Sequence, residues 1–186
     1  MGNQFKQLLI TALLVLGLAA PASADMMGVY ADIPLSHSLN GTQSDGSTIE
    51  SDGAPSGYML GLTLPFFMGL GYEAYNTGIK DDLISDIQLE TKMYNLFLDI
   101  PFPMLNLVVG VGAGKHNITC TGCEGAFNEG NASQTFVNLG WPVVLGLFDV
   151  HLGYHMVKGK IAYSADTSQE IDTQGTVTSL GVKFGF

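Results

Sequence analysis

Apolar residues alternate with small or polar residues in about eight segments of roughly ten residues, and this alternation limits the fold more than any other feature. In the first segment the two alternating sets are Met27, Val29, Ala31, Ile33 and Leu35 against Gly28, Tyr30, Asp32, Pro34 and Ser36. The same pattern recurs at 57–66, 70–75, 94–100, 107–112, 137–141, 149–156 and 179–186. Because successive side chains of a strand point to opposite faces, each segment predicts a strand with one apolar face.

The composition indicates which solvent those apolar faces meet. Only 13% of the residues are charged, 46% are hydrophobic, and the mean hydropathy is +0.27. A soluble domain usually carries about a quarter charged residues, and a lipocalin-like or sandwich fold would place them on its outer faces. Here the residues between the apolar ones are mostly Gly, Ser, Thr and Asn. We therefore favour lipid as the solvent of the apolar faces over a soluble β fold.

A chain that meets lipid with strands must leave no open sheet edge. After residue 24 no stretch approaches the roughly 18 continuous apolar residues of a membrane helix. In hydrocarbon every backbone donor and acceptor needs a protein partner, and an open edge would leave a row of them unpaired. The predicted fold is an all-β, antiparallel, up-and-down transmembrane β-barrel of about eight strands.

The first residues predict export. Lys6 precedes the apolar run 8–20, and Ala22-Ser23-Ala24 provides a small-x-small cleavage site, so residues 1–24 are predicted to be a signal peptide. The barrel domain is then 25–186. It contains six lysines, no arginine and 17 acidic residues, which leaves a formal charge of −11. This acidity argues against nucleic acid as a partner.

The predicted connections alternate between two kinds. Those around Pro65, Pro101 and Pro142 are short, apolar and proline-bearing, whereas those at 39–55, 78–85, 119–131 and 164–173 are longer and polar. Outer-membrane barrels have short turns at the periplasmic rim and long loops outside the cell. We expect the proline-bearing turns to face the periplasm.

The residues opposite the apolar set are expected to face the barrel lumen. The predicted polar lumen cluster consists of Asp32, Glu73, Asp99, Asp149, His151, His155 and Lys183, with His116 as a further candidate. Five bulky side chains share that face, namely Tyr30, Met59, Tyr75, Phe97 and Phe136. An eight-stranded barrel is just wide enough for side chains to fill it, so we expect ion pairs and hydrogen bonds rather than a pore. The sequence predicts no catalytic residue, no metal and no cofactor.

Two local motifs leave alternatives open. Asp149, His151 and His155 share one strand face, an arrangement that packed lumen histidines, a proton relay or a metal cluster would all use. Cys120 and Cys123 are the only cysteines, and a pair in an exported chain usually forms a disulfide. A redox motif, or half a metal site with His116 and Glu124, is the alternative for the cysteines.

Three stretches resemble a known group of proteins. They are 94–101 (YNLFLDIP), the Gly-rich 109–114 (VGVGAG) and the terminal 182–186 (VKFGF). All three are similar to the small eight-stranded outer-membrane β-barrel superfamily, which includes the OmpA transmembrane domain and the OmpX-like and OmpW-like proteins. The resemblance implies a bacterial outer-membrane location and contact with outer-membrane lipid and lipopolysaccharide. It also implies a terminal Phe186 that the barrel-assembly machinery reads during insertion.

The resemblance leaves two functional classes. The first is a non-enzymatic barrel with a structural or surface-interaction role and a largely plugged lumen. The alternative is a narrow OmpW-like, porin-like conduit for small apolar molecules. Lipid A deacylases, which are barrel enzymes, carry a His and a Ser two residues apart on a lipid-facing surface. Here Gly153 stands two residues after His151, on the face expected to point inward, so we predict that the protein is not an enzyme.

Overall fold

Eight long antiparallel strands pair with their neighbours in chain order and close into a barrel, which confirms the predicted fold class. The computed structural model describes residues 27–44, 46–80, 86–102, 105–143 and 148–186, so the predicted signal peptide at 1–24 lies outside the described residues. The long strands are β1 Gly28–Leu39, β2 Ser51–Thr63, β3 Met68–Ile79, β4 Gln88–Pro101, β5 Asn106–Thr119, β6 Gly130–Pro142, β7 Phe148–Ala162 and β9 Gly175–Gly185. A short strand, β8 Glu170–Asp172, pairs with the end of β7.

The pairing of the first strand with the last closes the barrel. Strands β1 and β9 pair from Gly28–Gly185 to Leu39–Gly175, with one register shift between Pro34 and Ser36. Beyond them Met27 N donates to Phe186 O at 3.2 Å, and Phe186 N donates to Met27 O at 3.0 Å. Each long strand therefore has a hydrogen-bonded neighbour on both sides, as a lipid environment requires.

Along the long strands, the residues of the predicted apolar set point outward and the residues between them point into the barrel. Large apolar side chains of every long strand lie on the outer surface, among them Leu96, 56% exposed, and Leu152, 47% exposed. Tyr94 is 72% exposed, and its ring belongs to a row with Tyr72 and Tyr58, whose centroids are 5.2 and 6.3 Å apart in turn. Tyrosines at the margin of an apolar band are typical of the interface between lipid and water.

The first strand departs from strict alternation at one place. Ser36 was expected to face the lumen, but Leu35 and Ser36 are both exposed. The register with β9 shifts between Pro34 and Ser36, which is a β-bulge. An extra residue moves every later side chain to the other face. His37 and Leu39 consequently point inward.

The strands also extend beyond the segments that the alternation marked. Strand β2 begins at Ser51, inside the stretch predicted to be a loop, and Pro55 lies where its register with β3 shifts, between Asp52 and Ser56. A bulge tolerates proline because the ladder hydrogen bond is already interrupted there. The predicted short turns also differ among themselves. Pro65 begins a 3-10 turn, Pro65–Phe67, whereas Pro101 and Pro142 are the last residues of their strands.

Glycines make room for the large aromatic side chains inside the barrel. Gly61 pairs with Tyr30, and Gly69 pairs with Phe97. A Cβ atom at Gly61 would overlap the Tyr30 ring, and one at Gly69 would overlap the Phe97 ring. Small and large residues thus alternate across neighbouring strands, as the narrow interior of a small barrel demands. No helix in the described part of the chain has the length and apolarity to span a membrane.

The outer apolar band generates a prediction. We expect Leu98→Arg to lower the free energy of unfolding by about 2–4 kcal/mol, because a cation near the bilayer midplane is poorly solvated. Gln88→Arg is the matched control, since it lies on the same strand and the same face but at the loop end. A reversible urea titration in lipid vesicles measures both values. Equal tolerance of the two substitutions would contradict a lipid-facing band.

Candidate functional site

The barrel interior is the candidate functional site, and apolar clusters divide it along its length. At the loop end lies a cluster that we call the outer cap: Leu39, Ile49, Leu89, Ile118, Ile161 and Ile171. Below it lies a second cluster, formed by Met59, Tyr75, Met93, Ala132, Val157 and Val177. The third cluster, nearer the short turns, consists of Tyr30, Phe97, Val108 and Phe136. All sixteen side chains are buried, and polar groups occupy the spaces between them.

Near the short turns lies Lys183, the one buried lysine among the described residues. Lys183 Nζ donates to Asp99 Oδ2, and Thr63 Oγ1 donates to the same oxygen at 3.0 Å. Asp149 is directly opposite Lys183 in the β7–β9 register and accepts from Asn106 Nδ2. Lys183 and Asp99 are 8% and 2% exposed, so this is a buried ion pair that a hydroxyl group supplements.

Asp32 and His151 form the next level of the interior. His151 Nδ1 lies 4.0 Å from Asp32 Oδ1, and both side chains are buried. The carboxylate of Asp32 occupies the space that a Cβ at Gly181 would fill, so residue 181 must be glycine for Asp32 to fit. The sequence placed these two residues on one inner face, and the strand register brings them together across β9.

Glu73 is the centre of a hydrogen-bond network in the middle of the barrel. Its Oε1 atom accepts from Asn95 Nδ2 at 2.6 Å and from Gln134 Nε2 at 2.8 Å. Gln134 Nε2 also donates to Asn95 Oδ1 at 2.8 Å, and Gln134 Oε1 lies 3.3 Å from His155 Nδ1. The ring of Phe136 stacks on His155 with centroids 5.0 Å apart. The network therefore joins four strands across the lumen.

The same network contains a Ser, His and carboxylate in contact order. Ser179 Oγ lies 3.4 Å from His155 Nε2, and His155 Nδ1 lies 3.5 Å from Glu73 Oε1. This is the order of groups in a nucleophile, base and orienting acid. However, Ser179 is 0% exposed and Gln134 shares the Nδ1 side of the imidazole, so the hydroxyl has no open approach for a substrate. Sequence reasoning missed this contact because Ser179 and Glu73 lie on strands far apart in the chain.

A second pair of histidines lies between the outer cap and the cluster below it. His37 Nδ1 is 2.7 Å from Thr77 Oγ1, and His116 Nδ1 is 2.9 Å from Thr91 Oγ1. All four side chains are buried. His116 was a predicted candidate, whereas His37 was not, because the bulge after Pro34 changes the face on which it lies.

The cysteines lie in the loop between β5 and β6, where Cys120 packs against the outer cap. Cys120 and Cys123 are joined by a disulfide. No group of three His, Cys, Asp or Glu side chains within the described ranges is placed to hold a metal ion. In the exposed loop after β7, hydrogen bonds from the Ser168 side chain and backbone lower the pKa of Asp166 and hold that carboxylate in its charged form.

Comparison with known proteins identifies the fold. No protein-family model and no curated protein sequence matches the chain. Among solved structures, the crystal structure of Neisserial surface protein A (NspA) superposes with a TM-score of 0.60 at 12% sequence identity. The match covers 86% of this chain and 97% of NspA. At this identity the likeness concerns the fold alone, which supports a β-barrel membrane protein.

The buried ion pair generates a prediction. We expect Lys183→Met to lower the free energy of unfolding by about 3–5 kcal/mol, because it would leave Asp99 buried without its cationic partner. Lys80→Met is the control, since the Lys80–Glu50 pair spans 3.5 Å and its side chains are 62% and 65% exposed. An exposed pair contributes about 0–1 kcal/mol. In a urea titration, Asp99→Asn should restore part of the loss in the Lys183→Met background. A loss no larger than that of Lys80→Met would contradict the pairing.

Proposed function

We propose that this protein is a bacterial outer-membrane β-barrel with a non-enzymatic structural or surface-interaction role and a lumen closed to solutes. The observation that supports the proposal is the burial of three apolar side-chain clusters along the length of the interior. A transport protein of this fold would need a connected aqueous or apolar path, and the three buried clusters along the lumen argue against one. The polar loops, not the lumen, are then the parts of the molecule available to partners outside the cell.

The outer cap is the strongest argument against passage through the barrel. It unites the loop ends of β1, β4, β5, β7 and β8 with Ile49 of the first loop. Leu89 and Ile161 within it are 0% exposed. Ile79, Ile87, Cys120, Phe127 and Tyr163 pack against it from the loop side. An apolar constriction of this kind excludes water and ions.

The placement at the cell surface rests on the fold and on its neighbour. NspA is a surface protein by its name, and it shares the barrel fold with this chain. Transferring that placement, we assign the long connections 40–50, 80–87, 120–129 and 163–169 to the outside and the short turns to the periplasm. Outer-membrane lipid and lipopolysaccharide are then the molecules around the apolar band, and the barrel-assembly machinery inserts the chain.

Conductance separates the closed barrel from the narrow conduit. We expect planar-bilayer recordings of the folded protein to show no discrete current steps, because the outer cap and the clusters below it fill the lumen. Folding is verified first by the difference in gel mobility between unheated and boiled samples. Discrete steps from the folded protein would replace this proposal by the conduit alternative. Absence of the mobility difference would contradict the membrane barrel itself.

The Ser179–His155–Glu73 contact allows a direct test of the non-enzymatic role. We expect a fluorophosphonate probe, which labels activated serines, to leave the folded protein unlabelled because Ser179 is buried. A Ser179→Ala variant shows the background of the measurement. Labelling that disappears in Ser179→Ala would establish an accessible, activated serine and overturn the proposal.

A further inference from the structure

We infer that a row of lysines on the outer surface binds the phosphate groups of lipid A, the phosphorylated glycolipid anchor of lipopolysaccharide. The inference rests on the proposed outer-membrane location and specifies one face of the barrel as the contact. The row consists of Lys92 on β4, Lys115 on β5 and Lys160 on β7, with Lys158 one step below Lys160. We call these four residues the lysine row.

Strand register aligns residues that are distant in sequence. Lys92 is directly opposite Lys115, Lys115 is opposite Asn131 of β6, and Asn131 is opposite Lys160. One cross-strand row thus carries three cations over four adjacent strands. All four lysines are exposed. Like charges directly opposite one another, as at Lys92 and Lys115, are unfavourable unless anions lie near them.

The row lies at the upper margin of the apolar band. The next outward residues toward the short turns are Tyr94 after Lys92 and Ala113 before Lys115. On β7 the outward residue before Lys158 is Met156, which is 48% exposed. Lysines that border an apolar surface place their ammonium groups at the level of lipid headgroups. A ligand that fits this surface has acyl chains below and negative charge at the row.

Glutamates lie consistently on the far side of the row. Lys92 Nζ is 2.7 Å from Glu90, Lys115 Nζ is 3.4 Å from Glu129, and Lys160 Nζ is 2.8 Å from Glu170. In the strand directions, each glutamate lies on the loop side of its lysine. The surface is therefore cationic where it borders the apolar band and anionic further out. Lys158 has no ion pair among the described residues, so no carboxylate competes with a lipid phosphate for its ammonium group.

The other half of the barrel lacks this feature. Beyond Lys92 the same cross-strand row continues through Ala74 of β3 and Tyr58 of β2, neither of which is charged. Beyond Lys160 it reaches Asp172 of β8, which is acidic. Four of the six lysines after residue 24 thus belong to one row, in a segment whose formal charge is −11. Lysines that served only solubility would be expected at scattered positions around the barrel and not in one row. Charge complementarity therefore favours a phosphorylated lipid at this face and no other.

The test measures lipid A binding to the full folded barrel by native mass spectrometry from an uncharged detergent. Lipid A with its phosphates is compared with dephosphorylated lipid A and with inorganic phosphate. We expect binding of phosphorylated lipid A only, because the acyl chains and the phosphates are recognised together. Binding of dephosphorylated lipid A with equal affinity would overturn the inference, as would retention of inorganic phosphate in place of the lipid.

Substitutions locate the site on the barrel. We expect Lys115→Gln to weaken lipid A binding about fivefold, the usual effect of one lysine near an anionic lipid surface. Replacing all four lysines of the row by Gln should weaken it more than tenfold. Lys80→Gln is the matched control, because it removes the same charge from an exposed ion pair outside the row and should leave binding unchanged.

Two results would separate failure of this inference from failure of the proposed function. If the four-lysine variant keeps the mobility difference of a folded barrel and binds lipid A as the original chain does, the lysine row is not the site and the membrane barrel stands. An equal loss in Lys80→Gln and Lys115→Gln would likewise overturn the site, since it would show a general charge effect. Absence of a folded barrel in the original chain would instead contradict the proposed function.

Discussion

Backbone hydrogen bonding within lipid is the constraint on which the rest of this structure depends. A strand in hydrocarbon must find partners on both sides, and the pairing of β1 with β9, extended by the mutual bonds of Met27 and Phe186, provides them for the last two edges. Closure with eight strands then sets the width of the interior. That width admits side chains and little else, so the choice of inward residues decides whether the barrel is rigid or leaky.

The inner face of the barrel buries more carboxylates than cations, whereas the apolar part of the outer face carries neither among the described residues. Four predicted lumen carboxylates share the interior with Lys183, the one buried lysine in the described part of the chain. Asp99 is bonded to Lys183, Asp149 to Asn106, and Glu73 to two amides with His155 nearby. Asp32 instead lies 4.0 Å from His151, and neither of its oxygens has a hydrogen-bond partner among the described residues. Buried polar networks of this kind tie distant strands together, and removal of one member leaves another unsatisfied. The interior therefore adds side-chain contacts between strands to those of the backbone ladder.

If the lumen is closed, as we propose, the surface that can meet other molecules is the outer one. On that outer surface, the sides of the barrel differ in the residues at the margin of the apolar band. Tyrosines 58, 72 and 94 mark part of that margin, and the lysine row marks the part that runs from β4 to β7. The arrangement of cations near lipid and glutamates further out orders charge along the membrane normal. This order of charge is the basis on which we infer a lipid with both phosphates and acyl chains as the ligand.

Period-two alternation was enough to predict the strands, their inner and outer faces and the closed barrel, because lipid outside and a narrow lumen inside make opposite demands on successive residues. The sequence also placed Asp32, Glu73, Asp99, Asp149, His151, His155 and Lys183 on the inner face. It did not predict the bulge after Pro34, which turns His37 inward and Ser36 outward, since a single extra residue leaves no mark in the composition. Nor could it predict the contact of Ser179 with His155 and Glu73, or the alignment of Lys92, Lys115 and Lys160. Those groupings depend on which residues face each other across neighbouring strands, and only the closed set of pairings decides that register.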